Sequence, residues 1–307
     1  IHALVAGRPA LSLSGHTHTI ENHAPGQLFQ GWADNTGTGP LPFRHIIAGA
    51  ASGAWYQGDF NIDGNPMALQ RMGAPSGYLH LDVSGTAYAE RYVGQRIDPA
   101  RGQWVGLSTP AFRSWFAALQ DWRGEDWETR DPIPPVTVND LPDTGIITPD
   151  ELAEGVLITA NVWAGSAETN VAATLPDGTV LAMSRTQEGL GEAPRIGADY
   201  ADPAAVERQM TVGRYAYESR SGDPRAQGFE LYQGSSFGPS APQPQRAVAD
   251  RSMHLWAARL PEELPLGVHR ITVTSTDRNG LSFTDAIIVE VREERPPMRF
   301  RRELWEE

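Results

Sequence analysis

The chain has 307 residues and a mass of 33.4 kDa, with 40% apolar and 21% charged residues, enough for one large globular domain or two medium ones. Its 25 basic residues against 38 acidic ones leave a formal charge of −13, which argues against gripping a nucleic-acid backbone or an anionic membrane, since both need clustered cations. There is no cysteine, and every basic residue other than histidine is arginine, so thiol nucleophiles, zinc-thiolate sites, disulfides and lysine Schiff bases are excluded.

The chain opens at Ile1 into strand-like sequence, without an initiator Met or a signal-peptide pattern, as the later part of a longer polypeptide would. Ala10-Leu11-Ser12-Leu13-Ser14 alternates apolar and small polar residues and breaks at Gly15, which predicts a short strand entering a loop. Arg44 to Ala51 predicts another strand. The longest mildly apolar run, Ile46 to Tyr56, is too short to span a bilayer. Gly77 to Val83 and Thr86 to Val93 flank Ser84-Gly85 and predict a hairpin. Ser108-Thr109-Pro110 predicts the cap of a helix carrying Phe112, Trp115, Phe116 and Leu119 on one stripe, a pattern of core packing.

Residues 1–120 balance in charge, whereas residues 121–154 hold ten acids and two arginines together with Pro132, Pro134, Pro135, Pro142 and Pro149. That composition predicts an extended connection and a domain boundary near 130–150. Beyond it the pattern is mostly strand. Val156 to Trp163 is one run; Val171 to Leu175 and Thr179 to Met183 flank Pro176-Asp177-Gly178. Asp202-Pro203 opens a short helical segment through Met210, and residues 222–250 predict a long loop. Val268 to Ser275 and Leu281 to Val291 flank Asp277-Arg278-Asn279-Gly280, a second hairpin. Strands with regular turns predict an immunoglobulin-like β-sandwich.

Four of the eight histidines lie between residues 16 and 45. His16 and His18, directly after the first predicted strand, stand at i and i+2 and would point the same way from extended backbone. Gly15 would let that backbone turn and approach closely. Neutral imidazole suits zinc, manganese or iron; the other reading is a pair of surface-loop histidines. Asp59, Asn61, Asp63 and Gly64 fit positions 1, 3, 5 and 6 of a calcium loop, but Gln70 stands where a bidentate Glu belongs, so a plain turn is expected. Trp55 and Tyr56 either line a substrate pocket or pack beneath the His loop, packing being the expectation because aromatics dominate cores, and His254 and Trp256 are expected to be structural. His23 and His45 are candidates to lie near the metals, with no spacing that requires it.

Gly15-His16-Thr17-His18 resembles the final metal-binding block of the calcineurin-like metallophosphoesterases. Ile46 to Asp59 and Gly73 to Tyr78 resemble the segment that follows it in a bacterial subgroup, and His254 to Pro261 with Leu264, Gly267 to His269, Asp277 and Gly280 resembles an appended C-terminal domain. The resemblance implies an α/β part, residues 1–98, that is the C-terminal portion of a four-layer catalytic sandwich. A helix and acidic Pro-rich linker (99–145), an all-β immunoglobulin-like sandwich (146–295) and a charged tail (296–307) would follow. It further implies His16 and His18 as ligands to two divalent metal ions, manganese, zinc or iron, and hydrolysis of a small phosphorylated substrate by a metal-activated water. The family's Asp-x-His, Gly-Asp-x-x-Asp and Gly-Asn-His blocks have no counterpart here, so the missing N-terminal half of the catalytic domain is an expected partner and this chain alone is expected to be inactive. Relatives with an appended sandwich point to a periplasmic or secreted location. The alternative from another class is a non-catalytic, cell-surface or partner-binding β-sandwich protein.

Overall fold

A computed structural model describes residues 2–5, 7–28, 37, 39–51, 56, 64–65, 69–70, 72–126, 129, 135–136, 140–208 and 252–296. A short helix α1 (His2–Val5) precedes three strands, β1 (Leu11–Ser14), β2 (Ile20–His23) and β3 (Arg44–Ala48). They form a sheet in the order β1-β3-β2, with β1 parallel and β2 antiparallel to β3. The predicted hairpin follows as β4 (Gly77–Ser84) and β5 (Ala87–Gly94), paired along their whole length.

Strand β6 (Gln103–Ser108) leads into α2 (Pro110–Gly124), where Thr109 accepts a hydrogen bond from the Phe112 amide and Pro110 occupies the first turn. The predicted stripe is buried: Phe112, Trp115, Phe116 and Leu119 pack with Ala201 and Val206. Strand β7 (Ile146–Ile147) and α3 (Pro149–Glu154) come next, the helix started by a capping box of Thr148 and Glu151. The remaining strands are β8 (Leu157–Val162), β9 (Asn170–Thr174), β10 (Val180–Arg185), β11 (Leu255–Arg259), β12 (Gly267–Thr276) and β13 (Ser282–Val291).

The strands run in the order β6-β8-β11-β10-β9-β12-β13-β7. Strand β10 pairs with β9 over four residues but with β11 only at Ser184 and Arg185, so it hands the chain from one layer to the other. Ile158, Ala160 and Val162 from β8 meet Val171, Ala173, Ile271, Val273, Val289 and Val291 from the facing strands in one core. The α/β part plus β-sandwich expected from the sequence is the architecture present.

One boundary differs from expectation. Strand β6 falls within 99–145, expected to be helix and linker, yet it pairs with β8 along its whole length. The sandwich sheet therefore begins at Gln103 and not at residue 146. Residues 127–128, 130–134 and 137–139 of the acidic proline segment, the long loop 222–250 and the tail from 297 lie outside the described residues. Among the described residues no helix is long and apolar enough to cross a membrane.

The two parts share an interior. In β8 the odd-numbered face points away from the sandwich core. Just beyond the strand's end, Trp163 joins Trp104, Ile20, Ile46 and Tyr92 in a second core. Gly73, with φ of 89°, shows how close the approach is: a Cβ there would lie 2.6 Å from the Asn161 amide nitrogen and 2.9 Å from Asp202. Only glycine fits both the conformation and the gap.

Candidate metal centre

Strand β1 ends at Ser14, and the loop it delivers carries His16, exposed, and His18, half-buried. The loop is not extended. His16 has φ of 80° and His18 φ of 57°, left-handed conformations that non-glycine residues rarely adopt and that cluster at functional sites. Gly15 has no positive φ and open space around its Cα. The turning expected of the glycine is carried by the two histidines instead.

Sheet register explains what holds the loop. Because side chains alternate, Ser12 and Ser14 of β1, His45 of β3, and Glu21 and His23 of β2 share one face. Ser12 and His23 are both cross-strand partners of His45. His45 Nδ1 lies 2.9 Å from the Ser12 hydroxyl and its Nε2 lies 3.3 Å from the Ser14 hydroxyl. The His45 ring stacks on His23, centroids 6.0 Å apart and planes inclined by 8°.

His23 Nε2 reaches Glu21 Oε2 at 3.1 Å. The Thr19 hydroxyl donates to Glu21 Oε1 at 2.6 Å, and Thr17 and Thr19 hydroxyls are 2.8 Å apart. The histidine loop is thus bracketed at Ser14 on one side and at Thr17 and Thr19 on the other. Burial would raise the pKa of Glu21, but the hydrogen bond and charge of His23, with the Thr19 hydroxyl, outweigh it and hold the carboxyl below its usual range. Burial, and then the neighbouring His23, lowers the pKa of His45 despite the attraction of Glu21. A neutral His45 ring can donate through one nitrogen and accept through the other.

The opposite face of the same sheet meets the sandwich. Arg44, buried, donates to Asn22 Oδ1 at 2.5 Å and pairs with Glu168. Asn22 donates to Glu90 of β5 and to the Ala164 carbonyl, both at 3.1 Å. Arg278, in the β12–β13 turn, closes the network on Glu90, its Nε standing 2.7 Å from Oε1. Burial would raise the Glu90 pKa, but the hydrogen bonds of Arg278 and Asn22 and the charges of Arg278 and Arg44 keep it depressed.

Among the described residues no three His, Cys, Asp or Glu side chains converge as a metal cage. The donor set of the loop is two imidazoles held in strained, braced backbone. Two imidazoles of this kind fit a contribution to a metal centre that draws its further ligands from elsewhere. Tyr56 is buried and donates to the Ala50 carbonyl; Trp55 lies outside the described residues. Of the calcium-loop candidate, Asp59, Asn61 and Asp63 also lie outside them, while Gln70 is fully buried and donates to the Pro75 carbonyl at 2.8 Å. Trp256 sits in the sandwich core.

The family described as the C terminal of calcineurin-like phosphoesterase matches residues 45–222. The chain belongs to it. The matched segment begins at His45, so His16 and His18 lie upstream of it, while the bracket residue His45 and the sandwich strands through β10 lie inside. No curated protein and no solved structure matches the chain.

The sequence reading missed the bracket. The alternation of Glu21 and His23 within Ile20–His23 was a usable signal, because i and i+2 in a strand share a face. That His45 would stand opposite His23 could not be read from it, since pairing register between strands twenty residues apart is set by tertiary packing.

Proposed function

We propose that the chain supplies His16 and His18 as ligands to two divalent metal ions, manganese, zinc or iron, in a centre that hydrolyses small phosphate mono- or diesters. The observation that carries this reading is the left-handed backbone at both histidines within a hydrogen-bonded bracket. Strain of this kind persists where the surroundings over-determine it, and a loop that only met solvent would relax. Membership of the phosphoesterase family supports the same chemistry. When bound, the metals supply Lewis acidity towards phosphate oxygens and a hydroxide at neutral pH.

The chain's own residues do the positioning. His16 presents its imidazole to solvent at the strand end, and Thr17, Thr19 and Glu21 fix the backbone on either side of His18. Two histidines give each metal one ligand from this chain, fewer than the three of a typical catalytic zinc site. The remaining ligands belong to a catalytic segment outside these residues, and the 307-residue chain alone does not turn over phosphoesters. In protein that carries this segment, His16→Ala and His18→Ala should each lower metal content and turnover of an aryl phosphate by at least about tenfold. Unchanged metal content in the double variant would refute the reading and return the chain to the non-catalytic sandwich class.

A further inference from the structure

We propose that the Gly49–Ala51 turn is a substrate-facing wall beside the histidine loop, and that Tyr56 and Gln70 are the positioning residues that hold it. This deepens the function proposed above and rests on it. Strands β1 and β3 are parallel, with Ser14 opposite Ile47. Their carboxyl ends therefore lie at one end of the sheet. Gly15 to His18 and Gly49 to Ala51 leave that end side by side, starting about 5 Å apart. Where strands run parallel, ligands bind in the crevice outside the carboxyl ends. A phosphoester held by metals at His16 and His18 thus has this turn as a neighbour. Gly49 and Ala50 are half-buried and Ala51 is exposed, and none of the three carries charge. The part of the substrate they face is the organic group of the ester and not its phosphate.

Buried side chains hold the turn from behind. Tyr56, 7% exposed, donates its hydroxyl proton to the Ala50 carbonyl. Gln70, fully buried, donates through Nε2 to the Pro75 carbonyl at 2.8 Å and to the Tyr92 hydroxyl. That hydroxyl donates to the same carbonyl at 2.6 Å. With Nε2 so engaged, the amide presents Oε1 to Gly49. The approach is close: Gly49 has φ of 77°, and a Cβ there would collide with Oε1. Tyr92 meets Trp163 edge-on, centroids 6.3 Å apart and planes inclined by 81°. The cluster is thereby seated on the core that the first sheet shares with the sandwich. Core packing alone does not ask for these polar groups. Phenylalanine at position 56 would bury the same ring, and the half-buried Ala50 carbonyl could take its hydrogen bond from water. What the hydroxyl adds is direction, since it fixes where that carbonyl points and so the shape of the turn.

The test uses metal-loaded protein that carries the catalytic segment, with phenylphosphonate as a non-hydrolysable probe. The phosphonate should slow amide exchange at residues 49–51 as well as 15–19 by at least about tenfold, as ordering by a ligand does. Inorganic phosphate should protect 15–19 only. Tyr56→Phe should raise KM for an aryl phosphate by at least about fivefold, more than it changes kcat, because the contact is made in ground and transition state alike. Its metal content should stay at the wild-type ratio. Protection of 49–51 by neither probe, or by both, overturns the proposal. So does an unchanged KM in folded Tyr56→Phe, or a loss of metal from it. Should that variant fail to fold, the exchange measurement on wild type decides. Phosphonate binding that survives in the His16→Ala/His18→Ala double variant would instead remove the proposed function, and this inference with it.

Discussion

His16 and His18 hold φ angles of 80° and 57°, and a left-handed L-residue costs about 1 to 2 kcal/mol. The strain sits on the two side chains offered as ligands, while Gly15, the residue type suited to that conformation, does not adopt it. Replacing His16 by glycine removes the strain along with the imidazole, whereas alanine removes the imidazole alone. In metal-free protein His16→Gly should therefore be more stable than His16→Ala by about 1 kcal/mol, after allowing for glycine's unfolded-state entropy. Denaturant unfolding of the two variants checks this; equal midpoints would mean that the loop relaxes in solution. The histidine pair was legible as a motif because its spacing is local. Its conformation was not, because the hydrogen bonds that enforce it come from Glu21 and His45 on other strands.

At the scale of elements, β5, β3 and the β12–β13 turn are joined by one buried carboxylate. Glu90 has a side chain 3% exposed and is held by Arg278, Asn22 and Arg44, the last of these 3% exposed. Removing one partner of such a network leaves uncompensated buried charge, so Glu90→Ala should cost about 3 to 5 kcal/mol and Glu90→Gln less. The sign with pH follows from its depressed pKa. The unfolded chain binds the proton more readily than the folded one, so the contribution of Glu90 is present above the ordinary glutamate pKa of 4.5. It is lost as pH falls through the lower folded value. Urea unfolding from pH 7 down to pH 3 should show wild type losing stability faster than Glu90→Gln below pH 4.5. Parallel curves would count against the network. Hairpins β4–β5, β9–β10 and β12–β13 were all visible in sequence, because their turns and alternation are short-range. That Arg278 in one hairpin turn would meet Glu90 in another hairpin was not, since the two are 188 residues apart.

On the scale of the whole molecule, the sandwich is not an appendage on a linker. Strand β6 enters its sheet, Leu107 enters its core, and Trp163 and Trp104 pack on Ile20 and Ile46 of the first sheet. A fragment of residues 146–295 lacks β6 and exposes one edge and part of the core. Residues 103–296 should unfold cooperatively with β-type circular dichroism, while 146–295 should unfold at lower urea or without cooperativity. Equal midpoints would show that β6 is dispensable. Both fragments should be less stable than the full chain, since each uncovers Trp163, which packs on the first sheet.

The sequence by itself determined the chemistry available, the run of strands beyond the acidic segment, the N-terminal cap of α2, the hairpin turns and the histidine pair. Each of these depends on residues within a few positions of one another, where periodicity and turn chemistry act. Tertiary structure alone decided the left-handed histidine backbone, the His23–His45 stack, the membership of β6 in the sandwich and the bond of His254 to Asn161. These depend on strand register and on the packing of one sheet against another, contacts between residues far apart in sequence that no local pattern encodes.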